Sequence, residues 1–109
     1  MLELANAPPD LVLLFDEDAL KEYRRIDVAP RKAFGNKLKK LATRREQPSP
    51  KNALHGFPPG HYKIKLRNAG LRLVYHYDGE NLVILVIAVG KRERSVVYEV
   101  ARARLEGRL

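Results

Sequence analysis

Tyr62-Lys63-Ile64-Lys65-Leu66-Arg67-Asn68-Ala69-Gly70-Leu71-Arg72-Leu73-Val74-Tyr75-His76-Tyr77 is the stretch on which the fold turns. Apolar and basic residues alternate from Tyr62 to Arg67, the period of a strand with one buried face. Asn68-Ala69-Gly70 is turn chemistry, and Leu71 to Tyr77 reads as a second strand. Pairing Arg67 with Arg72 across the turn puts Lys63, Lys65, Arg67, Arg72, Val74 and His76 on one face. Ile64, Leu66, Leu71, Leu73 and Tyr75 then share the other. A slip of one residue mixes leucines with lysines, so the first arrangement is expected.

Outward toward the C-terminus, Asp78-Gly79-Glu80-Asn81 turns the chain again. Leu82 to Val89 is apolar on both faces, which suits a strand central to the sheet, and the three strands joined by short turns form an antiparallel meander. Ser95 is a candidate cap for a final helix whose stripe is Val97, Val100, Ala101 and Leu105, ending at Gly107. Toward the N-terminus, Leu11 to Phe15 reads as a strand. Asp16 is the expected N-cap of a helix, with Glu17 and Asp18 suiting the positive end of its dipole. Ala19, Leu20 and Tyr23 are expected to face inward, and Lys21, Glu22, Arg24 and Arg25 to stay in water. Pro30 suits the first turn of a second helix, whose apolar face is Phe34, Leu38, Leu41 and Ala42. Its opposite face carries Arg31, Lys32, Lys37, Lys39, Lys40, Arg44 and Arg45. Gly35 weakens that helix by about 1 kcal/mol relative to alanine.

Residues 47–60 hold four prolines and two glycines; they read as a loop, with one short helical turn around Asn52 to Leu54. Pro8-Pro9 interrupts regular structure, so residues 1–10 read as a loose leader and 11–109 as a single domain. The expected class is α+β. A small, antiparallel-rich four-stranded sheet has the order β-α-α-β-β-β-α, with an N-terminal helical hairpin and a C-terminal helix.

Composition narrows the function. The 109 residues carry 21 Lys and Arg against 13 Asp and Glu, a formal +8. A small domain this basic points to a polyanionic partner, unless the charge is only a solubilising surface. There is no cysteine, so disulfides and thiolate metal sites are excluded. The apolar run Leu82–Val89 is too short to span a bilayer as a helix. The N-terminus lacks the pattern of a secretory signal, and the default location is cytoplasmic.

Placement of the charges says more than their sum. Strand alternation sets Lys63, Lys65 and Arg67 about 6.6 Å apart on one face, close to the spacing of phosphates on an extended nucleic-acid strand. Such neighbours repel unless an anion or acidic residues compensate. No acid occurs between Gly56 and Tyr77, which favours a binding face over a solvated one. Gly90-Lys91-Arg92-Glu93-Arg94-Ser95 follows the central strand, and Tyr98 lies in the first turn of the last helix. Arg92 and Arg94 are expected to join the basic face with Tyr98 beside them. Cations that hold phosphates and a ring that stacks on a base make a single-stranded RNA site.

These segments together resemble the RelE family of bacterial and archaeal toxins. The motifs are Tyr62-Lys63-Ile64-Lys65-Leu66-Arg67, Gly70-Leu71-Arg72-Leu73-Val74-Tyr75 and Val89-Gly90-Lys91-Arg92-Glu93-Arg94-Ser95 with Tyr98. Asp16 to Arg24 is similar to the family's first helix, and the resemblance covers roughly residues 11 to 105. It implies a ribosome-dependent endoribonuclease that cuts the A-site codon of mRNA and is neutralised by a RelB-like antitoxin. It also implies catalytic positions at Lys63, Lys65, Arg72, Arg92 and Tyr98. Arg67, Lys91, Arg94, Lys37, Lys40 and Arg44 are further candidates for RNA or ribosome binding, although the stretch from Lys37 to Arg45 reads equally as a solvated helix face. The related ParE toxins, which act on DNA gyrase, share the fold; there the lysine pair and the Arg-to-Tyr segment are not expected together. A non-catalytic RNA-binding module is the other alternative.

Metal-free cleavage can use the RNA's own 2′-hydroxyl as nucleophile, and no cofactor is expected. By family analogy Lys65 is the candidate base. A free lysine, with a pKa near 10.4, is a poor base at neutral pH, and neighbouring cations lower it. Lys63 and Arg72 are expected to stabilise transition-state charge, Arg92 to assist the leaving group and Tyr98 to stack on or orient a base. Of the histidines, only His76 is placed for an auxiliary role. His55, His61 and His76 have no zinc-site spacing. Tyr23, Tyr75 and Tyr77 read as core or sheet-face aromatics, and Tyr62 as either core or ligand.

Overall fold

The computed structural model describes residues 10–107, with the Arg94 side chain outside that description. The expected leader therefore lies, but for Asp10, outside the described residues. The elements are β1 (Val12–Phe15), α1 (Glu17–Arg25), α2 (Val28–Ala42), β2 (His61–Leu66), β3 (Leu71–Asp78), β4 (Val83–Lys91) and α3 (Val96–Leu105). Short 3-10 turns occupy Pro50–Asn52 and Glu93–Ser95. The first of these starts two residues earlier than the sequence suggests. There Pro50 holds the first helical position and the Ser49 hydroxyl accepts from the Lys51 N–H at 3.3 Å.

The sheet order is β1-β4-β3-β2. β1 runs parallel to β4, and the other pairs are antiparallel. The expected α+β class and element order hold, and the apolar strand after Asn81 is indeed interior, flanked by β1 and β3. One sheet face is covered by α1 and α2. Phe34 and Leu38 of α2 are wholly buried there with Leu73, Ile84 and Val86, alongside Ile64, Leu71, Tyr75 and Val89. The other face receives α3, whose Val97 and Ala101 pack on Val74, Ile87 and Ala88. Thus α3 rests on its own sheet, beside the basic strand rather than over it.

Asp16 caps α1 as expected, its Oδ2 accepting from the N–H groups of Asp18 (3.0 Å) and Ala19 (3.1 Å). Ser95 stands at the N-cap of α3 but makes no side-chain cap bond, because its backbone is left-handed (φ 57°). The expected apolar stripe of α3 also ends early. Leu105 is 39% exposed, one turn beyond the last residue buried against the sheet.

Candidate functional site

The pairing of β2 with β3 decides the site. The register is Lys65 opposite Arg72, Lys63 opposite Val74 and His61 opposite His76. The expected pairing of Arg67 with Arg72 is thus shifted by two residues. A shift of two leaves each residue on its predicted face, so the apolar and basic sets separate as read from the sequence. The turn supplies the reason. Gly70 takes a left-handed conformation (φ 65°), and its N–H donates to the Arg67 carbonyl at 3.1 Å. A four-residue connection closes on Leu66 and Leu71, and Arg67 leaves the strand for the turn.

Lys65 and Arg72 are therefore direct cross-strand neighbours, with Lys63 one pleat along and Arg67 just beyond. Lys65 feels all three: its pKa lies below the ordinary lysine value, chiefly because of Arg67, then desolvation, then Lys63 and Arg72. Arg72 is mostly buried, at 8% exposure, and its Nη1 donates to the Leu71 carbonyl at 2.9 Å. The guanidinium stem is thereby fixed while its charge stands opposite Lys65.

Arg92 and Tyr98 come to this face from β4 and α3. Gly90 pairs with Arg72, and two residues later the Arg92 N–H donates to the Gly70 carbonyl at 3.0 Å. The segment after β4 is thus tied to the β2–β3 turn, and the Arg92 side chain is exposed there. Tyr98 is half-buried and packs against the cluster around Val74, the cross-strand partner of Lys63. The structure brings Lys63, Lys65, Arg67 and Arg72 into one patch and sets Arg92 and Tyr98 at its margin.

Other candidates fall elsewhere. Lys91 pairs with Leu71, which belongs to the face packed by α2. Strand alternation thus turns Lys91 away from the Lys63–Lys65–Arg72 face. It lines a groove of about 360 Å³ with Glu22, Glu93, Val96 and Val100. Arg94 lies in the 3-10 turn, its side chain outside the described set. On α2, Lys37 lines a cleft of about 250 Å³ with Lys63, Lys65, Arg67 and Glu46 at the outer edge of β2. Lys40 sits 3.7 Å from Glu46, and Arg44, just past α2, is left-handed (φ 61°). Sequence reasoning found no acid near the patch. The chain's path after α2 brings Glu46 to its edge, a tertiary effect with no local signal.

Two further groupings were not anticipated. His61 is buried; its Nδ1 lies 2.7 Å from the Pro58 carbonyl oxygen and its ring stacks on His76 at 4.5 Å. Burial and then His61 push the His76 pKa below the ordinary histidine value, and Asp78 opposes weakly. The second is Glu22, expected in water but instead half-buried in an ion pair with Arg104. The tyrosines behave as core aromatics. Tyr75 is buried against Tyr62, and Tyr23 donates to the Arg31 carbonyl at 2.9 Å. Among the described residues no three His, Asp or Glu side chains converge as a metal site would require. No helix there is long and apolar enough to cross a membrane.

Residues 13–96 match the family described as ParE toxin of type II toxin-antitoxin system, parDE. A RelE-like toxin protein of Escherichia coli is 50% identical over 91 residues, covering 84% of this chain and 93% of that protein. The chain belongs to the RelE family of toxins. The mRNA interferase toxin RelE of Escherichia coli is 47% identical over 92 residues, covering 84% of this chain and 93% of its own. Among solved structures, a mutant of E. coli toxin RelE in the free state superposes with a TM-score of 0.76 at 42% identity, covering 88% of this chain and 98% of that one. The toxin in the intact E. coli RelBE toxin-antitoxin complex gives 0.68 at 43% identity, over 77% and 99%. The RelE likeness agrees with the three motifs, and the α+β architecture is that of these structures.

Proposed function

We propose that this RelE-family chain is an mRNA interferase, an endoribonuclease that enters the ribosomal A site, cuts the codon there without a metal, and is held inactive by a RelB-like antitoxin. The observation that carries this reading is the registered set Lys63, Lys65 and Arg72, with Arg67 beside it and the Lys65 pKa lowered by those neighbours. The relative named mRNA interferase toxin RelE and the RelBE complex support the same reading.

The roles follow from position. Lys65, the lysine whose neighbours favour its neutral form, takes the proton from the 2′-hydroxyl. The 2′-oxygen bonds to phosphorus and the bond to the 5′-oxygen breaks. Lys63 and Arg72 face the additional negative charge of the phosphorane. Arg92 assists the departing 5′-oxygen electrostatically, since a guanidinium gives up its proton reluctantly, and water supplies the proton that this oxygen takes up. Tyr98 stacks on a base. Arg67 and Lys37, at the adjoining cleft, hold flanking phosphates, while Lys40, Arg44, Lys91 and Arg94 are left for ribosomal contacts. This is a weak acid–base set, so much of the rate comes from aligning the 2′-oxygen with phosphorus, which the ribosome does. The toxin acts in the cytoplasm, where the ribosome is.

The test is translation in vitro with primer extension on the programmed message. Cutting within the A-site codon, lost in Lys65→Ala and Arg92→Ala while ribosome binding persists, is the expected result. Equal cutting of naked and ribosome-bound RNA defeats the ribosome-dependent reading. Gyrase inhibition with toxicity unchanged in those variants favours a ParE-like activity instead.

A further inference from the structure

Where β1 ends, the outer edge of β4 loses its strand partner. The last backbone bond there runs from the Asp16 N–H to the Val86 carbonyl at 2.9 Å. Beyond it β4 is irregular: Val74 pairs with Ala88 and Tyr75 with Val86, which leaves Ile87 as a bulge. The Ile87 carbonyl and the Val89 N–H still require partners. Two side chains provide them. Glu22 Oε1 accepts from the Val89 N–H at 3.0 Å, and Arg104 Nη1 donates to the Ile87 carbonyl at 2.9 Å.

The same two side chains are joined to each other. Arg104 Nη1 and Nη2 reach the two Glu22 oxygens at 2.9 and 2.8 Å, and Arg104 Nε lies 3.7 Å from Asp16 Oδ2. The Arg104 side chain is only 10% exposed and that of Glu22 27%. A bidentate pair thus stands in for the missing length of β1 and fastens α1, β4 and α3 at one point.

The consequence reaches α3. Its start has no side-chain cap, and its middle rests on Val97 and Ala101, whose apolar contacts are not directional. Two arginines orient the helix: Arg102 lies over the Phe57 ring at 5.0 Å, and Arg104 fixes rotation and height where α1, β4 and α3 meet, because a guanidinium–carboxylate pair has one preferred geometry. Tyr98 lies six residues before it, about 9 Å along the axis. We propose that the Glu22–Arg104 pair is a positioning element of the RNA site, setting where Tyr98 stands relative to Lys63, Lys65 and Arg72. This inference rests on the proposed function, within which Tyr98 meets the RNA.

The experiment is a cycle of variants assayed for cutting on programmed ribosomes, with kcat and KM for the ribosome measured separately and folding followed by thermal melting. Glu22→Gln keeps the shape and an oxygen for Val89 but loses the charge. It is expected to lower kcat by roughly tenfold to a hundredfold at unchanged KM, since misplacement by about an ångström costs that much. In a Tyr98→Ala background the same change should cost less than about twofold, because its route to the chemistry is gone. Arg104→Lys, which keeps the charge and loses the fork, should show a smaller kcat loss with the same dependence on Tyr98. It serves if Glu22→Gln does not fold. Losses that multiply with that of Tyr98→Ala, or that fall on KM alone, overturn the inference. A Tyr98→Ala variant that cuts normally instead strikes at the role given to Tyr98 in the RNA site.

Discussion

Replacing Arg72 by methionine separates activity from stability. The methionine keeps the unbranched stem that packs against the sheet and removes the charge. In the fold, Arg72 contributes one hydrogen bond from a charged donor to the Leu71 carbonyl at 2.9 Å, about 1.5–3 kcal/mol. Against that stand the desolvation of a guanidinium at 8% exposure and its repulsion from Lys65, the residue directly opposite. A like-charge pair across a strand costs roughly 0.2–1 kcal/mol. The terms nearly cancel, so the net change stays within about 1 kcal/mol of zero. For a chain of this length that moves the melting temperature by no more than roughly 5 °C, in either direction.

In the reaction nothing cancels. On the proposed reading the charge that faces the phosphorane is lost, and a preorganised donor of that kind is worth about 10²–10³ in rate. The assay is single-turnover cutting on programmed ribosomes, measured by primer extension, beside melting curves of the same preparations. A fall of two orders of magnitude or more with a nearly unmoved melting temperature is expected. Undiminished cutting refutes the placing of Arg72 at the transition state. A melting temperature that collapses along with activity refutes the claim that repulsion offsets the hydrogen bond.

Three further outcomes are expected. Arg67→Gln removes the largest influence lowering the Lys65 pKa, so the rising limb of the rate–pH profile should move to higher pH; an unmoved limb removes Lys65 as the base. His76 has a pKa below its unfolded value, so the unfolded chain binds more protons between that lowered pKa and about 6.5, and stability falls as pH drops through this window. His76→Gln should therefore flatten the melting temperature against pH just below about 6.5; an equally steep curve places the acid sensitivity elsewhere. Asp16→Ala removes the two cap bonds of α1 and should cost about 1 kcal/mol, roughly 4 °C in melting temperature.

The β2–β3 hairpin was legible because its signal is local and has period two. Ile64, Leu66, Leu71 and Leu73 can share a buried face only if Lys63, Lys65 and Arg72 share the other, whatever the register modulo two. The register itself was misjudged, since the sequence does not state that Gly70 closes a turn beginning at Arg67. Glu22 was misplaced for a different reason. Helical periodicity assigns it to the solvated side of α1, and only the long-range approach of Arg104 at the far end of the chain makes that position half-buried. Glu46 and the His61–His76 stack share this origin, being neighbours through the sheet and the long loop rather than along the chain. Lys91 shows the opposite hazard. It belongs to a basic cluster in sequence, yet strand alternation at the end of β4 directs it away from the other cations.

The cost of the patch bears on what binds it. Lys63 and Arg72 are held within one pleat of Lys65 by a register fixed elsewhere, by leucines on the far face, with Arg67 just beyond in the turn. The sheet cannot relax that repulsion without giving up its core, and the same neighbours, Arg67 first, lower the Lys65 pKa. Any polyanion that binds here therefore gains twice, from its own attraction and from relief of the repulsion. On the proposed reading that polyanion is the message.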